Sequence, residues 1–307
     1  MIVEFPNSQS KSYFIDLLKL GEYIENTSRS GNENDFIKWP NKIWKLYEKN
    51  MHLGFLSFIE TQAPNDGFLV LQWYNSGIFV KFGNKIVGFD ILPVPRYYGW
   101  PDEKELTELI ASNIVSLFIT HDHRDHCDPL LIKACYDRHI PVYMHEKQAS
   151  DFTGVFPMGD DCTIDFANFT VTSQKACHVW RNNISDVNLC YFTVSSANDF
   201  NFVFFGDADY TKVSRELSKA ADLVFITWRN PNSKYEDRNP DQIGNTFDAI
   251  KLMTNIFKPK RIVLEHYGEF DHIYKGFGAG FDHAINLINN LEIATNIYMP
   301  GEQFALI

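Results

Sequence analysis

The sequence predicts an α+β fold from three observations. Short strand-like runs joined by tight turns follow Gly67, later strand-like runs alternate with helical patterns, and the apolar content can fill a large core. That content is 45% hydrophobic residues, with 26 Phe, 14 Tyr and 6 Trp among 307 residues. A single hydrophobic core stops growing near roughly 250 residues. The expected organisation is therefore a helical appendage over 1–66 and one large domain over 67–307.

The elements follow in order. Residues 10–27 place Tyr13, Ile15, Leu17, Leu18, Tyr23 and Ile24 at helical spacing, and a second helix is expected near Pro40 with Ile43, Trp44, Leu46 and Tyr47. Packing on the main body and self-association into a homo-oligomer both stay open for these helices. The run APNDG at 63–67 is a turn signal, after which FLVLQW, GIFVKF and KIVGFD read as three strands in consecutive hairpins. A helix with an acidic first turn, PDEKELTELIA, leads into the apolar strand IVSLFI. Further strands are expected at 141–144, 169–173, 189–194, 202–205, 223–227, 261–264 and 297–299, and helices at 129–138, 210–219, 243–257 and 284–291. In the third of these helices Ile243, Phe247, Ile250, Met253 and Phe257 share one face.

Charge and cysteine usage narrow the function classes. With 28 Lys+Arg against 39 Asp+Glu the formal net charge is −11, which repels phosphate backbones and anionic membranes, and no basic run offsets it. The first residues, MIVEFPNSQSKSYF, lack the layout of a signal peptide, and apolar stretches such as 114–119 are too short to span a bilayer. A cytoplasmic protein with a small-molecule substrate, no nucleic acid and no membrane span is expected. The five Cys are odd in number and contain no CxxC pair, which fits reduced thiols.

The chemistry is concentrated where strand IVSLFI ends. His121, Asp122, His123, Arg124, Asp125 and His126 form the loop THDHRDHCD. On a loop leaving a buried strand, His121 and His123 can face one way and Asp125 and His126 another, so one segment can serve two adjacent metal ions. Mixed imidazole and carboxylate donors suit Zn²⁺, Mn²⁺ or Fe²⁺. The competing reading is a solvated polar loop that carries histidines by chance. Three more ligand-type residues lie beyond strands: His178 in KACHVW after the strand expected to end near Ser173, Asp207 after FNFVFFG, and His266 after RIVLE. Each taken alone is better explained by a structural role, and their value lies in order and spacing. Two neighbouring cations need a shared anionic ligand, and Asp207 is the strand-end carboxylate available.

This ordered set, HxHxDH then His, GD and His, resembles the metallo-β-lactamase superfamily over about 67–307. The likeness is greatest to the L-ascorbate-6-phosphate lactonase-like group and the related N-acylphosphatidylethanolamine phospholipase D group. It is carried by LQWYNSGIFVKFGNKIVGFDILP, THDHRDHCDP, FVFFGDADY, EHYGEF and MPGEQF. The resemblance implies a four-layer αβ/βα sandwich, with two mainly antiparallel sheets face to face and helices outside. It assigns His121, His123 and His178 to one metal, Asp125, His126 and His266 to the other, and Asp207 to both. Asp90, in VGFDILP, becomes the residue that holds a ligand histidine from behind. Position 123 is His, where oxygen-reducing di-iron relatives carry Glu, which favours hydrolysis over redox chemistry.

The implied reaction is hydrolysis of a small lactone or ester by a hydroxide held between two divalent ions, Zn²⁺ or else Mn²⁺ or Fe²⁺. Asp125 and Asp207 are the candidate catalytic carboxylates, with Asp125 orienting the nucleophile and passing a proton to the leaving group. Candidate substrate contacts are Asn75 in the turn before the second strand, Arg181 after His178, the loop residues Trp228, Arg229, Lys234 and Tyr235, and His272. For Asn75, Tyr74 and Ser76, plain turn chemistry is the equal alternative. A phosphodiesterase of the phospholipase D-like branch is the alternative function. A nuclease and a non-catalytic binding protein rank lower, because no basic exosite is present and all seven ligand positions are filled.

Overall fold

The computed structural model describes residues 38–94, 104–180, 185–210, 213, 220–227, 242–266 and 288–307. Among the described residues fourteen strands form two seven-stranded sheets that face one another. The first contains β1 (Phe68–Gln72), β2 (Ile78–Phe82), β3 (Lys85–Phe89), β4 (Ser116–Ile119), β5 (Val142–His145), β6 (Val155–Met158) and β14 (Gln303–Leu306), in the order β14-β1-β2-β3-β4-β5-β6. The second contains β7 (Cys162–Asp165), β8 (Phe169–Trp180), β9 (Ser185–Ser196), β10 (Asn201–Phe204), β11 (Leu223–Thr227), β12 (Arg261–Glu265) and β13 (Ala294–Asn296), in the order β13-β12-β11-β10-β9-β8-β7. The described helices are α1 (Lys38–Glu60), α2 (Lys104–Asn113), α3 (Pro129–Asp137), α4 (Glu146–Ala149) and α5 (Gln242–Phe257).

Strand β1 explains why its sequence is apolar without interruption. Phe68 and Val70 join the cluster between the sheets, where Phe68 meets Phe202 at 5.5 Å between ring centroids, while Leu69 and Leu71 join the outer cluster with helix residues. A strand buried on both faces cannot alternate. The expectation of mainly antiparallel sheets is corrected. In each sheet one half is antiparallel (β14-β1-β2-β3 and β7-β8-β9-β10) and the other half parallel (β3-β4-β5-β6 and β10-β11-β12-β13). The physical reason is connectivity, since α2 and α3 return the chain over the sheet between β3, β4 and β5, and such crossovers make neighbours parallel.

Other boundaries move. The strand expected at 297–299 lies at Ala294–Asn296, and the strand expected to end near Ser173 continues to Trp180 because β8 pairs with β9 along its whole length. Strands β6, β7 and β14 and the short helix α4 are additions to the expected set. The helix expected at 10–27 lies outside the described residues, as do most of the one expected at 210–219 and the first half of the one expected at 284–291, of which 288–290 are helical. Among the described residues no helix is long and apolar enough to cross a membrane.

Helix α1 falls within the segment read as an appendage, and it packs directly on the first sheet. Met51, Phe55 and Phe58 are fully buried, and the Phe55 ring lies 4.6 Å from that of Phe79. The backbone of Gly54 touches Gly301, where a Cβ at position 54 would fall 2.3 Å from the Gly301 carbonyl oxygen, so neither position has room for a side chain. At the C-terminal end of the helix the buried Lys81 ammonium donates to the carbonyls of Phe58 (3.1 Å), Ile59 (2.7 Å) and Thr61 (2.7 Å). It caps the orphan carbonyls of the last turn and sits at the negative end of the helix dipole.

Candidate metal centre

The C-terminal ends of β3, β4, β10 and β12 open onto one edge of the sandwich, and the residues just beyond them are Asp90, His121, Asp207 and His266. His178 comes from inside β8 rather than from a loop after a strand, which corrects its expected setting. Side-chain atoms of seven residues converge here. His266 Nε2 lies 2.8 Å from Asp207 Oδ1, while His126 Nε2 and His178 Nε2 lie 3.5 Å and His121 Nε2 4.0 Å from Asp207 Oδ2. His126 Nε2 is also 3.7 Å from Asp125 Oδ2. Three triads have ligand atoms within 4.8 Å of one another: His123, His178 and Asp207; Asp125, His126 and His266; and His121, His126 and Asp207. The first two fall in the two halves expected from the sequence, and the third joins them.

Buried hydrogen bonds fix the imidazoles from behind. Asp90 accepts from the Thr120 amide at 2.7 Å, the Thr120 hydroxyl at 2.7 Å and His126 Nδ1 at 2.7 Å. With its hydroxyl proton committed to Asp90, Thr120 Oγ1 can accept from His121 Nδ1 at 2.9 Å. Both rings are thereby held in the tautomer that leaves Nε2 as a lone-pair donor toward Asp207. Gly206 makes this floor possible: a Cβ there would lie 2.9 Å from Thr120 Cγ2 and 3.1 Å from Asp90 Oδ2, and its φ is +53°. Asn75 (φ 63°), Asp90 (φ 48°) and His266 (φ 59°) also adopt the left-handed region, as do five described non-Gly residues away from the site; Asn, Asp and His are the side chains that tolerate it best.

The electrostatics favour cation binding. Burial, with neighbouring imidazoles, holds His121 well below the ordinary histidine range, and burial first also lowers His123 and His178. For His126 burial acts downward, but Asp125, Asp207 and Asp90 outweigh it and push the imidazole well above its usual value. Burial acts upward on Asp207, yet His266, His178 and His126 hold it well below the carboxylate range. Among the described residues His121 Nε2 and His126 Nε2 are buried and meet no hydrogen-bond partner. Leaving such atoms unsatisfied is costly, and a divalent cation accepting their lone pairs removes the cost. The donor set of imidazoles and carboxylates fits Zn²⁺, Mn²⁺ or Fe²⁺.

No protein-family model matches the chain, and no curated protein matches its sequence. Solved structures do match its shape. An isothiocyanate hydrolase from Delia radicum gut bacteria aligns over 78% of this chain and 98% of its own, with TM-score 0.53 and 16% identity. The metallo hydrolase Igni18 from Ignicoccus hospitalis aligns over 78% and 99%, with TM-score 0.50 and 13% identity. A mutant of the β-hydroxylase CmlA aligns over 80% of this chain and 54% of its own, with TM-score 0.51 and 13% identity. The chain has the metallo-β-lactamase fold. In that fold the two sheets meet face to face under outer helices, and the edge that gathers the histidines here takes residues from the ends of β3, β4, β10 and β12 and from β8 of the antiparallel half.

The remaining candidates separate into three groups. Asn75, one of the candidate substrate contacts, is buried at 3% exposure, and its amide donates to the Asp125 carbonyl at 3.0 Å, so it braces the loop. Arg181, Trp228, Arg229, Lys234, Tyr235 and His272 lie outside the described residues. Asp125, with 28% side-chain exposure, sits on the open side of the cluster. Sequence reasoning missed Thr120 and left Ser76 open; Ser76 Oγ is 3.1 Å from His126 Nδ1. It also missed Glu265, a fully buried carboxyl with no hydrogen-bond partner on either oxygen among the described residues. Burial pushes Glu265 well above the carboxylate range, against the pull of His266. The available signal was strand parity, because Glu265 continues the alternate positions of Val263, which faces the core between the sheets.

Proposed function

We propose that this chain is a metal-dependent hydrolase that holds two divalent cations, one at His121, His123 and His178 and the other at Asp125, His126 and His266, with Asp207 shared. The single observation that supports this most is the approach of four imidazole Nε2 atoms to one carboxylate, Asp207. When bound, the cations supply Lewis acidity and acidify a water molecule. Asp207 joins the two halves and carries the negative charge that two neighbouring cations require. Asp90 and Thr120 keep His126 and His121 in the tautomers that bind. Asp125 is the carboxylate placed to accept the proton of the attacking water at an Oδ atom and deliver it to the leaving oxygen as the acyl–oxygen bond breaks.

The substrate class we favour is a small lactone or ester. His123 supports hydrolysis, since it adds a neutral donor to one half of the site where a carboxylate would suit redox iron. The test is a panel of lactones, simple aryl esters and bis(p-nitrophenyl) phosphate on protein reloaded with Zn²⁺ or Mn²⁺. Lactone or ester turnover that disappears on chelation is the expected result. Preference for the phosphodiester overturns the substrate assignment, and full metal content with no turnover of any member overturns the hydrolase reading.

A further inference from the structure

The turn between β1 and β2 makes two side-chain hydrogen bonds to the ligand loop some fifty residues away in sequence, and both reach the same half of the centre. Asn75 Nδ2 donates to the Asp125 carbonyl at 3.0 Å, and Ser76 Oγ lies 3.1 Å from His126 Nδ1. Both residues are buried, Asn75 at 3% and Ser76 at 0% exposure. Asn75 stands at φ 63°, a conformation that Asn tolerates better than other side chains and that aims its amide across at the loop.

The turn is itself braced. The Gln72 carboxamide lies 3.3 Å from the carbonyls of Trp73 and Gly77, and the Trp73 indole donates to Leu92 at 2.7 Å. The Tyr74 ring packs 5.9 Å from Tyr47 of α1, and the backbone of Gln72 accepts from Gly301 at 2.8 Å. Gly301 is the residue on which Gly54 of α1 rests. A turn held at this many points is a rigid platform, and rigid support is what positions ligand atoms to within the tolerance a metal requires.

We infer that the β1–β2 turn is a positioning clamp for one of the two cation positions. Asn75 and Ser76 preset Asp125 and His126, so the turn governs the cation held by Asp125, His126 and His266 and leaves the one held by His121, His123 and His178 to other supports. This inference rests on the two-cation reading. Neither residue is a catalytic group; both act through the loop.

The test compares the wild-type chain with Asn75→Gly and Ser76→Ala by Zn²⁺ titration against a chromophoric chelator, with total metal counted in parallel. Asn75→Gly suits the left-handed backbone and deletes only the amide, so it isolates the hydrogen bond. The expected result is one Zn²⁺ bound as in the wild type and a second weakened by about tenfold or more, as is usual when a group supporting a metal ligand is lost. Two unchanged Zn²⁺ affinities, or an equal loss at both positions, overturn the clamp. Should Asn75→Gly fail to fold, Ser76→Ala removes a single hydroxyl and must still weaken one position selectively; no change there also overturns it. A wild-type chain that binds no Zn²⁺ sinks the two-cation reading together with the clamp, whereas two ions in the wild type with no selective loss in either variant sinks the clamp alone.

Discussion

The two halves of the centre are held by different means. On one side His126 is gripped by Asp90 and Ser76 and Asp125 is braced by Asn75, all through buried side-chain hydrogen bonds. On the other, His178 rides on the far end of the β8–β9 hairpin and His123 is part-exposed. On that side His121 is tied to the shared floor, through Thr120 and Asp90. The difference teaches that a symmetric-looking set of ligands is preorganised unequally: a floor of hydrogen bonds on one side and a long strand pair on the other.

The largest effect is expected at the residue common to both halves. Asp207→Ala removes the anion that four imidazoles face, so both cations and all turnover should be lost, as read by metal counting and the substrate panel. Retained metal and activity would contradict the assignment. Asp90→Ala comes next, because it removes the acceptor shared by three buried donors, the Thr120 amide, the Thr120 hydroxyl and His126 Nδ1, of which the last keeps Ser76 Oγ at 3.1 Å. Leaving buried donors unpaired costs about 1–3 kcal/mol each, so chemical denaturation of the metal-free protein should report a loss near the top of that range or beyond it.

Lys81→Met asks whether α1 belongs to the support of the site. It deletes a buried cation bonded to three carbonyls at the helix end, with an expected loss of about 2 kcal/mol. An unchanged denaturation midpoint would show that the helix end holds without it. Glu265→Gln should move the other way. Burial holds the Glu265 carboxyl well above the carboxylate range, so folding at neutral pH must protonate it; an amide avoids that step and should stabilise the metal-free chain by about 1 kcal/mol. A destabilised variant would mean the carboxyl is held by an interaction the described residues do not contain.

The smallest expected effect is a pH dependence centred on the more tightly held half. The folded value of His126 is raised, since Asp125, Asp207 and Asp90 outweigh burial. A raised folded value stabilises the metal-free protein, fully below the unfolded value of about 6.5, and that stability is lost as pH rises through the folded value. A cation must displace that proton, so Zn²⁺ affinity should rise with pH across the neutral range and fall in acid. Affinity independent of pH would show that His126 binds no metal.

Much of this was legible in the sequence because the ligands lie at strand ends, and strand ends can be read from apolar runs. IVSLFI, FNFVFFG and RIVLE each announce the residue that follows. What was not legible depends on tertiary partners. β6 contains Pro157 and exposed Phe156, and β7 alternates without a strong apolar face, so each is defined by the neighbour it pairs with. β14 exists because Phe68 to Leu71 supply its partner. His178 was placed beyond a strand because KACHVW is not a strand-like run, yet pairing with β9 carries the strand through it. The bracing role of Asn75 was hidden for the same reason, since nothing near position 75 reveals that the carbonyl of Asp125 will lie 3.0 Å away.

The central claim is that one carboxylate, Asp207, organises two cation positions in a single chain. The most direct test is the metal content of the purified protein after refolding with Zn²⁺ or Mn²⁺, for the wild type and for Asp207→Ala side by side. Two ions per wild-type chain and none retained by the variant is the expected result. Substoichiometric metal in a correctly folded wild-type chain would contradict it, and would leave the metallo-β-lactamase fold here as a scaffold for binding rather than for hydrolysis.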